Sequence, residues 1–312
     1  MSFPFVKGHG THNDFVVLPD LDGSVHADLD ARVVAAVCDR RGGIGADGVL
    51  RVIRGGAQNA PWFMDYRNAD GSVSEMCGNG VRVLARYLAD AGLVDVAEPL
   101  PVDTRDGVKQ VTFCDDGEIS VDMGVPLPKE RVTVSVAGRS LDAVRVDTGN
   151  PHAVAFVDSL AEVGDLRESP FFCGVEFPNG VNIEFVERRG DGHLAMRVFE
   201  RGVGETQSCG TGACAVAAVM ARYDDQLALA GDAGGHLARA ANAVDQVAPV
   251  GRRGARSDDG RAALASRSHD PSGPASYTIE VLGGVLTVSI DTEGNAHLKG
   301  PAVLVAEGTW TA

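Results

Sequence analysis

"GETQSCGTGACAVAAVM", residues 204–220, sets a cysteine between polar residues and glycines and then runs directly into an apolar helical pattern. "VSEMCGNGVRVLARYLA", residues 73–89, has the same order: an acidic residue, Cys, Gly, a small or polar residue, Gly, then a helix. A helix start leaves its first N–H groups unpaired and carries the positive end of the macrodipole, so it favours a thiolate. Glycines beside the sulfur let backbone amides approach a ligand and add anion-binding donors. One such cysteine reads as a buried cap on a core helix. Two in the same setting, Cys77 and Cys209, read as a functional pair.

With 312 residues and 44% hydrophobic content the chain is long and apolar enough for a sizeable globular core. A formal charge of −15, with no block of basic residues to offset it, argues against nucleic acid or an anionic membrane as partner. The start, "MSFPFVKGHG", lacks a signal peptide's apolar core, and no run approaches the roughly 18 apolar residues of a membrane span, so a cytoplasmic location is expected. Six cysteines without a C-x-x-C and without a secretion signal read as reduced thiols. Cys209 and Cys214, five apart, fall on different sides of a helix, so no metal site is expected.

Alternating or β-branched segments predict strands near residues 14, 48, 108, 119, 131, 153, 181 and 194 and over 277–290. Helical patterns cover about 28–38, 80–91 and 210–222, which gives an α+β chain built mainly of strands. "LGG" at 282–284 reads as a tight hairpin. Strands precede and follow each cysteine–helix unit, and "HNDFVVL" upstream is answered by "GNPHAVAFV" downstream, so an internal duplication is expected. Residues 224–276 are rich in Ala, Gly, Arg, Asp and Ser, with no aromatic between Tyr223 and Tyr277. That composition predicts a flexible insertion with a short helix near 236–247.

Two thiols facing one carbon suit proton removal on one side and proton delivery on the other, which inverts a stereocentre. Pyridoxal phosphate, the usual alternative for an amino-acid carbanion, needs a Schiff-base lysine. The four lysines, Lys7, Lys109, Lys129 and Lys299, lie in no obvious phosphate-binding loop, so cofactor-free chemistry is expected.

At "HGTHNDFVV", "DRRGGIGADGVL", "YRNADGSVSEMCGNGVR", "DTGNPHAVAFV", "PNGVNIEFVE", "MRVFERGVGETQSCGTGACA" and "HLKGPAVLVAEG" the chain resembles the diaminopimelate epimerases, over nearly its whole length apart from the insertion. The related proline racemases have C-G-H-G in the first motif, and here Asn79 stands at the histidine's place. The resemblance implies two pseudo-symmetric α+β domains, each a curved, mostly antiparallel sheet around a central helix, with the site in the cleft between them. Their bounds would be 1–124 plus a returning strand at 300–312, and 125–299. It implies a homodimer that interconverts LL- and meso-diaminopimelate in lysine biosynthesis, with no cofactor and no metal. Cys77 and Cys209 would be the two acid/bases, with His152 and Glu200 tuning them. Gly78, Asn79, Gly210 and Thr211 would supply donors around the reacting carboxylate. Asn13, Asn68, Asn150, Asn182, Glu200 and Arg201 would hold the remaining substrate groups.

Two positions depart from the family. His12 replaces the usual glycine of the turn presenting Asn13, and Gly48 falls where many members have a substrate-touching glutamine. "GIGADG", residues 43–48, fits G-x-G-x-x-G but follows a helix and precedes a strand, the reverse of a dinucleotide site. Two alternatives stay open at this point: a racemase of the same fold acting on another amino acid such as proline, and a thiol-redox or binding protein that has lost turnover.

Overall fold

The computed structural model describes residues 2–26, 28–57, 59–232 and 275–311. The chain divides into two compact units, residues 1–219 with 274–312, and residues 220–273. In the first unit the chain runs β1 (Ser2–Gly10), β2 (Asn13–Pro19), α1 (Ala31–Cys38), β3 (Gly48–Arg54), β4 (Trp62–Asn68), α2 (Gly78–Asp90), β5 (Leu100–Thr104), β6 (Gly107–Phe113) and β7 (Ile119–Asp122). It continues through β8 (Leu127–Val136), β9 (Arg139–Asp147), β10 (Pro151–Phe156), a 3-10 turn at Leu160–Val163, β11 (Phe171–Phe172), β12 (Asn182–Gly190), β13 (His193–Glu200) and β14 (Gly204–Thr206). Then come α3 (Gly210–Asp232), β15 (Ala275–Val281), β16 (Gly284–Ile290), β17 (Ala296–Gly300) and β18 (Val303–Thr311).

Strand pairing makes the duplication explicit. β1–β2 is antiparallel, β2–β3 parallel, β3–β4 antiparallel, β4–β5 parallel, and β5–β6 and β6–β7 antiparallel. The series β9–β10–β12–β13–β15–β16–β17 repeats that sequence of directions step for step. β18 flanks β1 and β8 flanks β9, both antiparallel, and β7 pairs with β17 where the halves meet. "HNDFVVL" and "GNPHAVAFV" open β2 and β10, which occupy equivalent places. α2 fills the connection between β4 and β5, and α3 the one between β13 and β15.

Each of these helices is buried almost all round, which places it inside its curved sheet and not on a surface. α2 is covered from Gly78 to Ala85 and again at Leu88, and α3 from Gly210 to Met220 apart from Thr211. Removing a fully buried side chain such as Leu84 costs about 2–5 kcal/mol. α2 ends at Gly92, φ 66°, where Gly92 N–H bonds to the Ala89 carbonyl and Leu93 N–H reaches back to the Leu88 carbonyl, a left-handed stop that suits glycine.

α3 runs to Asp232, beyond the expected end at 222, because "QLALA" at 226–230 holds good helix formers. Residues 224–232 are therefore helical and 275–276 already belong to β15, a correction to the expected insertion of 224–276. The rest of that segment, with the expected helix at 236–247, lies outside the described residues.

Gly10 pairs with Asn13, so Thr11 and His12 form a two-residue loop with φ of 47° and 62°, the pattern of a type I′ turn. His12 is thus accommodated in the left-handed region, which histidine enters more readily than most side chains. The 282–284 hairpin is also present, Val281 pairing with Gly284. Its tip meets this turn, for a Cβ on Gly283 would fall 1.9 Å from the Thr11 carbonyl oxygen. His12→Gly is expected to raise stability by about 1 kcal/mol through relief of the left-handed strain. Urea unfolding checks this, and an unchanged or lower midpoint would contradict it.

Candidate active site

Cys77 and Cys209 cap their helices in the same way. Gly80 N–H donates to Cys77 Sγ at 3.4 Å and Val81 N–H to the Cys77 carbonyl at 2.9 Å. Gly212 N–H donates to Cys209 Sγ at 3.4 Å and Ala213 N–H to the Cys209 carbonyl at 3.0 Å. The two helix starts abut: a Cβ on Gly210 would lie 3.7 Å from Gly78 Cα and from Asn79 Oδ1. Asn79 Nδ2 crosses between the halves to the Ser208 carbonyl at 3.3 Å.

A cavity of about 1120 Å³ opens over this junction. Cys77, Cys209, Gly78, Asn79, Gly210, Thr211, Asn13, Asn68, Asn150, Asn182, Glu200 and Arg201 all line it. Asn68 is at once a turn residue, its Nδ2 donating to Ser72 Oγ at 2.9 Å, and part of the wall. Asn182 Oδ1 accepts from Arg201 N–H at 3.0 Å, and Arg201 Nη1 donates to the Asn179 carbonyl at 2.9 Å. Glu200 accepts a hydrogen bond from Thr206 Oγ1.

His152 is the expected site residue that does not line the cavity. It is fully buried behind the wall, with Nδ1 2.6 Å from Glu184 Oε1 and Nε2 2.9 Å from Asn150 Oδ1. Glu184 is itself fully buried against the start of α3, where a Cβ on Gly212 would fall 2.6 Å from its Oε1.

Burial dominates the thiols. It pushes Cys77 up to about 11, opposed by the N–H groups of Gly80 and Asn79 and reinforced by the Glu200 carboxylate. Cys209 is raised well above its ordinary value by burial, then by Glu200 and Glu184, against Thr211 and Gly212. Glu200 is raised too, chiefly by burial. The lowering expected from the helix starts is thus present but outweighed.

Asp47, Tyr66, Ser208 and Arg82 were not singled out by motif, yet the first three line the cavity and Arg82 lies directly behind Asn79. Gly48 has no room for a side chain, since a Cβ would meet the Arg67 carbonyl at 2.6 Å and the Tyr66 ring at 2.7 Å. Tyr66 fills that wall instead. The signal for Glu184 was its charge inside the apolar run "VNIEFV", because a carboxylate there needs a buried partner.

Solved structures at low identity share this fold along the whole chain. A phenazine biosynthesis protein of the PhzF family from Bacillus anthracis superposes with a TM-score of 0.64 at 16% identity, over all of both chains. A hydroxyproline epimerase from Agrobacterium vitis does so with a TM-score of 0.60 at 13% identity, over 99% of this chain and 92% of that one. The class is therefore the two-domain α+β fold shared with these proteins. The family profile described as "Diaminopimelate epimerase" matches residues 5–127 and 144–246. Diaminopimelate epimerase of Streptomyces coelicolor is 46% identical over 314 residues, covering 97% of this chain and 94% of its own. That of Thermobifida fusca is 43% identical over 317 residues, covering 97% and 96%. The chain belongs to the diaminopimelate epimerase family, and it is an enzyme of the isomerase class.

Cys214, on the buried side of α3, is pushed up to about 12 by desolvation, so the folded state holds its proton where the unfolded thiol has lost it. Its contribution to stability is complete below about pH 9 and is lost as pH rises toward 12, at about 1.4 kcal/mol per pH unit. Urea unfolding in reductant between pH 9 and 11 should therefore show a shallower decline in Cys214→Ala than in the wild type. Parallel declines would contradict the assignment.

Proposed function

We propose that this chain interconverts LL- and meso-diaminopimelate in lysine biosynthesis, by a two-base mechanism that needs no cofactor. The observation that carries this reading is the matched pair of cysteine-capped helix starts opening on one cavity. One sulfur, as thiolate, removes the proton from the α-carbon, and the electron pair of that C–H bond is delocalised into the adjoining carboxylate. The opposite thiol delivers its proton to the other face of the same carbon and becomes the thiolate for the next turnover. Burial makes either thiolate a stronger base than a free one, which narrows the gap to the weakly acidic C–H bond.

Backbone N–H groups of Gly78, Asn79, Gly210 and Thr211 would hold the reacting carboxylate and its growing charge, without reorganisation during the reaction. Arg201 can take a carboxylate bidentately, while the amides of Asn13, Asn68, Asn150 and Asn182 and the Glu200 carboxylate recognise the remaining groups. His152 would act from behind the wall by fixing Asn150 and by partnering Glu184 beneath Cys209. The working domains would be 1–124 with 300–312, and 125–299, a division supported by the repeated strand order and the β7–β17 junction. The same reading puts the enzyme in the cytoplasm, where its thiols stay reduced, and has it work as a homodimer.

The test is solvent-deuterium incorporation at the α-carbon of LL-diaminopimelate, in reductant and without pyridoxal phosphate, followed by NMR and chiral analysis. Deuterium is expected in the meso product. Cys77→Ala and Cys209→Ala should each lower turnover by roughly 10²–10⁴-fold, the usual worth of a positioned acid or base. Turnover retained in either variant would refute the two-base mechanism, and no exchange by the wild type would refute the substrate assignment.

A further inference from the structure

A directional chain of hydrogen bonds crosses the start of α2. Arg82 Nη2 donates to Asn79 Oδ1 at 2.8 Å, Asn79 Nδ2 donates to Asn13 Oδ1 at 3.1 Å, and Asn13 Nδ2 donates to Asp47 Oδ2 at 2.9 Å. Both ends have fixed chemistry: guanidinium only donates and an ionised carboxylate only accepts. Each asparagine amide between them therefore has a single satisfactory orientation. Arg82 is fully buried, and among the described residues no carboxylate lies within ion-pair reach of it. Gly10 packs against it, a Cβ there falling 3.1 Å from Nη2. At the other end, Asp47 is held by Arg40 at 2.6 Å and also accepts from the Asp14 N–H at 3.1 Å.

The consequence falls on Cys77. Asn13 Oδ1 is the atom presented to its sulfur, at 3.7 Å. A carbonyl oxygen there accepts from a thiol, whereas the reversed amide would offer N–H groups and favour the thiolate. The other titratable or charged groups near Cys77 include Glu200, Arg82 and Tyr66, with Cys209 on the same cavity.

We propose that Asp47 and Arg82 are positioning residues that jointly set the polarity of the Asn13–Asn79 amide pair, so that Asn13 presents oxygen and not NH₂ to Cys77. Its importance for catalysis rests on reading Cys77 as one of the two acid/bases, but the chain itself is testable without substrate. In a Cys209→Ala background, iodoacetamide labelling of Cys77 is followed by mass spectrometry of its peptide at pH 7.5. Asp47→Ala combined with Arg82→Met removes both fixed ends and frees the amide pair to reverse, and Cys77 should react about three- to tenfold faster, the effect of about one unit in thiol pKa. Either single variant leaves one fixed end that still orients both amides, and it should label much as the parent does. Asp47→Ala alone labelling as fast as the double variant would overturn the proposal, since loss of charge alone would then explain the effect.

A second readout is ¹⁵N NMR with asparagine-selective labelling. Asp47→Ala should shift the side-chain NH₂ signal of Asn79, which Asp47 does not touch, and Arg82→Met should shift that of Asn13. If Arg82→Met does not fold, the Asn79 signal in Asp47→Ala decides alone. An unmoved Asn79 signal in Asp47→Ala would overturn the relay even if the wild type proves to be an active epimerase. A shifted signal in a protein inert toward diaminopimelate would instead uphold the relay and sink the substrate assignment.

Discussion

Leu298 Cδ2 lies 2.8 Å from where a Cβ would sit on Gly78, and 2.8 Å from where one would sit on Gly210. One leucine of β17 thus limits both helix starts, and only residues without a side chain can approach it so closely. Leu298 is in turn fixed by pairing with Val121 of β7, at the junction where the two halves join their sheets. Because the glycines are pinned together, the cysteine before each is pinned at the edge of the same opening. The glycines of both motifs answer first to this packing, and the donors they expose toward the cavity follow from it.

The duplicated architecture is symmetric, but the two sulfurs are not placed in identical fields. Cys77 has an amide oxygen in front of it and a buried guanidinium behind Asn79. Cys209 has the Thr211 hydroxyl at 3.4 Å and the Glu184 carboxylate beneath its helix. Glu200 pushes both upward. A repeated fold supplies two thiols of matched reach on one opening, and divergence of the surrounding polar groups leaves them in different fields.

Legibility in the sequence followed the range of the interactions. The two cysteine–helix units were readable because capping, glycine and the apolar run all lie within one short segment. β2 and β10 were readable as related because each opens on asparagine or its neighbour and then buries continuous apolar residues. β4, "WFMDYRN", was not, since Trp62, Met64, Asp65 and Tyr66 are all buried and no alternation survives. Asp65 is tolerated there because Arg67, Arg105 and Arg51 reach it at 2.8, 2.6 and 3.8 Å, Arg105 from the turn after β5 and Arg51 from β3. Arg82 looks like the solvent-facing residue of an amphipathic helix, yet it is completely covered because β1 and the β17–β18 connection close over it. Asp47 sits in a glycine-rich loop whose pattern invites a nucleotide reading, and its partner Asn13 is 34 residues away.

The buried pair behind the wall shows how His152 supports the cavity wall without touching the cavity. Glu184 brings a carboxylate into the centre of an apolar strand, and an unpaired charge there would be strongly destabilising. Parallel pairing of β10 with β12 sets His152 beside Asn182, which brings the imidazole across to Glu184 and leaves its other nitrogen against Asn150. A single ring therefore binds one oxygen of the carboxylate under α3 and holds an amide on the cavity wall. The absence of a side chain on Gly212 lets α3 settle onto that carboxylate, so the negative field reaching Cys209 is set by the same packing that seats the helix. Histidine serves here because its two ring nitrogens lie on opposite edges, one against Glu184 and the other against Asn150; lysine, with a single nitrogen, has no flat group to span the two.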